Sequence, residues 1–77
     1  MNVLYDSEHY YVVEFPGRGG IELVDKAACR GAFLEGAVES HFRASMAHLA
    51  TGGPTAESVD EFLGHYEALL NNPVILH

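Results

Sequence analysis

One change of rhythm constrains this chain more than any other feature. Up to about Gly36 the apolar residues recur every second position; after it they recur at helical spacing. Asn2–Asp6 (NVLYD) reads as a short strand. A Ser-Glu turn leads into residues 9–15 (HYYVVEF), which are aromatic and β-branched and read as a longer strand. Pro16-Gly17-Arg18-Gly19-Gly20 is turn chemistry. Residues 21–26 (IELVDK) read as a third strand and 31–35 (GAFLE) as a fourth. The segment 27–35 also has a helical reading, because Gly31 and Ala32 are poor strand formers.

From Ala37 the apolar positions Val38, Phe42, Met46 and Leu49 lie on one helical face, and Gly52-Gly53 stand where a helix would be capped. Thr55 is placed as the N-cap of a second helix, with Asp60 and Glu61 toward the positive end of its dipole. Its stripe is Val59, Phe62, Leu63, Tyr66, Leu69 and Leu70, and Asn71-Asn72-Pro73 end it. The order ββββαα predicts an α+β domain: an antiparallel four-stranded meander with helices over residues 37–51 and 55–71 on one face. Phe42, Met46, Phe62 and Tyr66 are expected to pack on Val13, Phe15 and Leu23.

Seventy-seven residues make a single domain, residues 1–77. A chain of this size buries only about 60% of its unfolded surface, so every apolar residue counts. Apolar residues are 48% of the total, enough for a packed core.

Pairing the strands through the expected turns sets Val3 against Val12, Glu14 against Glu22, and Val24 against Phe33. One face then holds Leu4, Tyr11, Val13, Phe15, Ile21, Leu23 and Leu34 and seats the helices. The other carries an apolar row, Val3–Val12–Val24–Phe33, beside an acidic row, Glu14–Glu22–Glu35. Such an apolar row is an exposed patch unless something covers it. The ending Val74-Ile75-Leu76 is apolar where termini are usually polar. It is expected to be ordered, crossing that face or adding to a sheet edge as a fifth strand; the alternative cover is another molecule, with a homodimer favoured.

Charge limits the partners. Eleven acids against four bases give a net charge of −7, and Arg18, Lys26, Arg30 and Arg43 are scattered. Nucleic acid and anionic membrane both want a basic footprint, so neither is expected as a partner. No apolar run approaches the ~20 residues of a membrane span, and the start MNVLYDSEHY lacks a signal-peptide pattern. The lone cysteine, Cys29, forms no internal disulfide; with these features it points to a cytoplasmic protein.

The segments YYVVEF, GGIELVDK, ESHFRASM, VDEFLGHYEALL and NPVILH resemble a family of short bacterial proteins known only as a domain of unknown function. The resemblance runs nearly the full length, rests on core and turn positions, and implies no activity, cofactor or catalytic residue. The family tends to carry an acid where Ser58 stands here, so no capping box is expected on Thr55.

No motif supports a specific chemistry. The glycine loop is followed by a strand, whereas a phosphate cradle needs a helix start. His41 and His48 lie seven apart on the first helix and His65 on the second, without the partners a metal site needs. Cys29 has Arg30 beside it but no histidine nearby in sequence, and no nucleophile elbow or triad order exists. No catalytic residue and no cofactor are therefore assigned. Two functions remain open. One is an interaction or regulatory module, acting on a protein partner or as a homo-oligomer through Val3, Val12, Val24, Phe33, Val74, Ile75 and Leu76. The other is a ligand- or cation-binding protein or enzyme using Glu14, Glu22 and Glu35, should those carboxylates converge.

Overall fold

The computed structural model describes residues 1–66 and, for the backbone, 72–73. Four strands come first: β1 (Asn2–Asp6), β2 (Tyr10–Glu14), β3 (Ile21–Asp25) and β4 (Arg30–Leu34). Two helices follow, α1 (Gly36–Ala50) and α2 (Ala56–Gly64), and a two-residue strand, β5 (Asn72–Pro73). The sheet order is β1-β2-β3-β4-β5, with every pair antiparallel. The predicted ββββαα meander is therefore the fold. Residues 27–35 form a turn and a strand, and no helix begins before Gly36. Asn72–Pro73, read from the sequence as the end of the second helix, pairs instead with Arg30 and Gly31 at the β4 edge. Val74, Ile75 and Leu76, predicted to be ordered, lie outside the described residues, as do 67–71 of the predicted second helix.

The register differs from the expected one, and the loops explain why. Phe15 N–H donates to Gly20 O at 3.2 Å, and Gly19 N–H donates to Phe15 O at 2.8 Å. Phe15 thus closes the loop against Gly20, and the first strand pair is Glu14 with Ile21. Gly17, Gly19 and Gly20 take positive φ of 82, 82 and 97°, a region favourable only to glycine, and this makes the tight closure possible. The β2–β3 pairing is consequently one residue from expectation, and one residue exchanges the faces of a strand. Between β3 and β4 the slip is two, which preserves the faces: Asp25 pairs with Arg30, Leu23 with Ala32 and Ile21 with Leu34. In β1, the register shifts between Val3 and Tyr5, leaving Leu4 as a bulge; Val3 pairs with Val13 and Tyr5 with Val12.

The helix-covered face therefore carries Tyr10, Val12, Ile21, Leu23, Ala32 and Leu34, all buried. Val12 belongs to this core, not to the outer row where it was expected. Val13, expected beneath the helices, points the other way. The helices contribute Phe42, Val59 and Leu63, with Met46, Leu49, Phe62 and Tyr66 packed partly buried around them. Phe42, Phe62 and Tyr66 form a ring triangle with centroids 5.2–5.7 Å apart. Val38, predicted on the buried stripe of α1, is exposed because it sits in the first turn, ahead of the turn that Phe42 buries.

Helix α2 starts with a closed capping box. Thr55 Oγ1 accepts from Ser58 N–H at 3.1 Å, and Ser58 Oγ accepts from Thr55 N–H at 3.0 Å. The box expected to be missing is thus made by serine in place of the acid; its short hydroxyl reaches the same amide.

Candidate functional site

The outer face of the sheet carries the surface of greatest interest. Its cross-strand row is Val3–Val13–Glu22–Phe33. The two ends of the expected row, Val3 and Phe33, remain, while Val13 and Glu22 replace Val12 and Val24 between them. Val24 does face outward, in the next row, Asp6–Tyr11–Val24–Gly31. Val13 and Val24 are excluded from solvent, whereas Val3 is 53% and Phe33 38% exposed.

Phe33 is fixed from below by Gly20. A Cβ on Gly20 would lie 2.1 Å from Phe33 Cζ, so the ring rests directly on the glycine backbone. Phe15 sits beside it, ring centroids 6.2 Å apart. The Arg18 guanidinium lies over both rings, 5.8 Å from the Phe15 centroid and 5.6 Å from that of Phe33. Among the described residues Arg18 has no carboxylate partner, unlike Lys26, which pairs with Asp6, and Arg43, which pairs with Glu14 and Glu39. An exposed phenylalanine with a cation stacked on it offers an apolar contact and a carboxylate receptor in one place.

The acidic row is not formed. Glu14 pairs with Ile21 on the helix side, Glu22 pairs with Val13 and Phe33 on the outer side, and Glu35 is the N-cap residue of α1. The one-residue slip of β2 puts the first two carboxylates on opposite faces. Glu14 instead accepts from Asn2 Nδ2 at 3.1 Å and from Arg43 Nη1 at 3.0 Å. These hydrogen bonds hold its carboxyl below the ordinary glutamate value. No group of three or more His, Cys, Asp or Glu side chains among the described residues is arranged to hold a metal ion.

A second polar cluster had no sequence signal strong enough to mark it. Asp60 on α2 accepts from Tyr5 Oη at 3.0 Å and from Ser7 Oγ at 2.8 Å, and His9 Nδ1 lies 3.0 Å from its other oxygen. Burial opposes the charge on Asp60, but the hydrogen bonds from His9, Ser7 and Tyr5 outweigh it and lower its pKa. Burial likewise raises that of Tyr5. Glu8, His9, Ala56, Glu57 and Asp60 line a concavity of about 330 Å³ here. The arrangement is not a Ser-His-Asp relay: Ser7 donates to Asp60, and its oxygen accepts from the backbone N–H of His9 and Tyr10. Its evident work is to tie the β1–β2 turn to α2. The only clue in sequence was an acid beside Val59 on the buried stripe, which charge patterning alone assigns to the helix dipole.

Cys29 is an exposed thiol at φ 53° in the β3–β4 turn. His41 and His48 flank a groove of about 470 Å³ between the helices, lined also by Ala44, Ser45, Leu49 and Phe62. Cys29 Sγ lies 3.6 Å from Lys26 O, and neither Cys29 nor the two histidines belong to a group of three or more His, Cys, Asp or Glu side chains placed to hold a metal ion among the described residues. No helix among the described residues is long and apolar enough to cross a membrane.

Comparison with known proteins offers no activity to transfer. No solved structure matches the chain. It is similar to Protein BTH_I0359 of Burkholderia thailandensis, 40% identical over an 85-position alignment covering 100% of both chains. Residues 1–77 match the family described as Protein of unknown function (DUF3567), and the chain belongs to that family.

Proposed function

We propose that this protein is a small interaction or regulatory module that docks a partner protein against the outer face of its sheet, and that it does so in the cytoplasm as a homodimer. The observation that carries the docking surface is the Phe33 site: a partly exposed ring, seated on Gly20, flanked by Phe15 and topped by an arginine without a carboxylate partner among the described residues. Rigid aromatic and arginine groups in one patch are what protein interfaces enrich. The exposed Cys29 thiol suits a reducing compartment. The complementary group is an acidic side chain next to an aliphatic one, so that Arg18 gains a carboxylate while Phe33 is covered.

The test is site-specific photo-crosslinking in cells. A photoreactive phenylalanine analogue at Phe33 should give a discrete adduct, and the same analogue at exposed Glu57 should not. Arg18→Glu should abolish the Phe33 adduct. An equally diffuse pattern from both positions, or an adduct indifferent to Arg18, would overturn the assignment.

A further inference from the structure

Part of the outer sheet face is drier than an open face should be. Val13 and Val24 point away from the helices and are each 1% exposed, yet neither belongs to the core cluster that the helices cover. Gly31, beside Val24 on β4, is buried as well. On the same face Val3 and Phe33 remain 53% and 38% exposed. A sheet face without a covering layer stays in contact with water. Two solvent-free valines and a buried glycine therefore mark a strip that an apolar group covers. The strip lies along the row Tyr11–Val24–Gly31, and that row continues to Asn72 on β5.

We infer that the chain covers this strip itself: Val74, Ile75 and Leu76 turn from β5 onto the outer face, cross Gly31 and lie on Val24 and Val13. Position, direction, reach and chemistry each favour this segment. Asn72 pairs with Gly31 and Pro73 with Arg30, so Val74 follows directly at the rim of the strip. Continued straight as a strand, residues 74–76 would run beside Cys29, Ala28 and Ala27, and those three are exposed. Proline at position 73 has no N–H with which to extend the pairing. Strands lie about 4.8 Å apart, which puts Val24 roughly 10 Å and Val13 roughly 14 Å from β5. The four residues after Pro73 extend about 13 Å, enough to pass Val24 and come up to Val13. Three aliphatic side chains without charge match a strip of valine and glycine, and Gly31 has no side chain to obstruct the crossing. The cover leaves Phe33 and Arg18 open, so a partner meets that corner of the face and not its centre.

Methyl-resolved NOE spectra of the full chain test this without any substitution. Cross-peaks from the Val13 and Val24 methyls to those of Ile75 and Leu76 are expected. Spectra of mixed labelled and unlabelled chains, filtered for contacts between copies, should lack them. A soluble gadolinium chelate, which broadens solvent-facing methyls, gives a second readout. The Val24 methyls should keep their intensity in the full chain and lose it once residues 74–77 are removed, or when Ile75→Asp and Leu76→Asp are combined. Circular dichroism checks that both variants keep the fold, and the NOE readout needs neither of them. Absence of contacts from residues 74–76 to Val13 and Val24, contacts found only between copies, or Val24 methyls still shielded in a folded chain lacking 74–77 would each overturn the inference. It does not rest on docking at Phe33: an adduct there indifferent to Arg18 would sink the docking surface and leave the cover standing.

Discussion

Replacing Phe42 with alanine should come close to unfolding the domain. The side chain is 1% exposed, lies on the Val12, Ile21 and Leu23 floor, and makes two of the three contacts in the ring triangle. Removing a buried phenylalanine costs about 3–5 kcal/mol in transfer and cavity terms. A domain of this length has roughly 4–12 kcal/mol in total. With a urea dependence of about 1 kcal/mol per molar, the midpoint should fall by roughly 3–5 M. Phe42→Leu separates the contributions. It keeps most of the burial and loses the two ring–ring contacts, a deficit of roughly 1–3 kcal/mol beyond area. Urea melts followed by circular dichroism measure both. A loss below about 1 kcal/mol for Phe42→Ala would refute the packing described, because no residue so enclosed is released that cheaply without the helix turning its other face inward.

Asp60→Asn should destabilise by about 1–3 kcal/mol, the scale of hydrogen bonds to a charged group. Because the folded pKa of Asp60 lies below its ordinary value, its stabilisation is complete above the unfolded value near ~3.9 and is lost as pH falls through the folded one. The wild type should therefore lose stability on acidification through that window more steeply than the Asp60→Asn variant, as melts at stepped pH will show. Gly20→Ala should cost about 1–3 kcal/mol, since φ 97° is unfavourable for alanine and the new Cβ would displace the Phe33 ring; a stability within about 0.5 kcal/mol of wild type, the scatter of surface changes, would contradict the close contact. Ser58→Ala should cost about 0.5–2 kcal/mol by opening the capping box, measured in the same melts.

The order of the four strands and two helices was legible, because period-two and helical patterns are separated cleanly at Gly36 and because Gly and Pro mark the β2–β3 loop and the α1–α2 turn; the short strand at Asn72–Pro73 was not. Faces were not. Tyr10-Tyr11-Val12-Val13 is apolar on both sides, so nothing in β2 prefers one orientation, and the choice fell to a loop whose closing pair, Phe15 with Gly20, depends on three glycines at positive φ. The error carried straight into the site. Val3 and Phe33 were recognised as outward, but Val12 moved into the core and the three glutamates separated. Arg18 was seen only as a turn residue, since its stacking on Phe15 and Phe33 requires knowing that positions 15 and 33 share a face. The Asp60 cluster joins residues more than fifty positions apart, beyond the reach of any local pattern.

That same separation orders events in time. Each of the first three strand pairings links neighbours in sequence, so the meander can grow hairpin by hairpin with little loop entropy to overcome at any step. The bonds from Tyr5 and Ser7 to Asp60, which span 55 and 53 positions, are expected to close after the β1–β4 meander and α1. Contacts formed after the rate-limiting step govern escape from the native state and leave entry to it untouched. The Asp60 tie is then a brake on unfolding: asparagine at this position should speed unfolding in stopped-flow measurements with the refolding limb superimposable on wild type. The carboxylate that fastens α2 to the β1–β2 turn would in this way lengthen the life of the native state without hastening its formation.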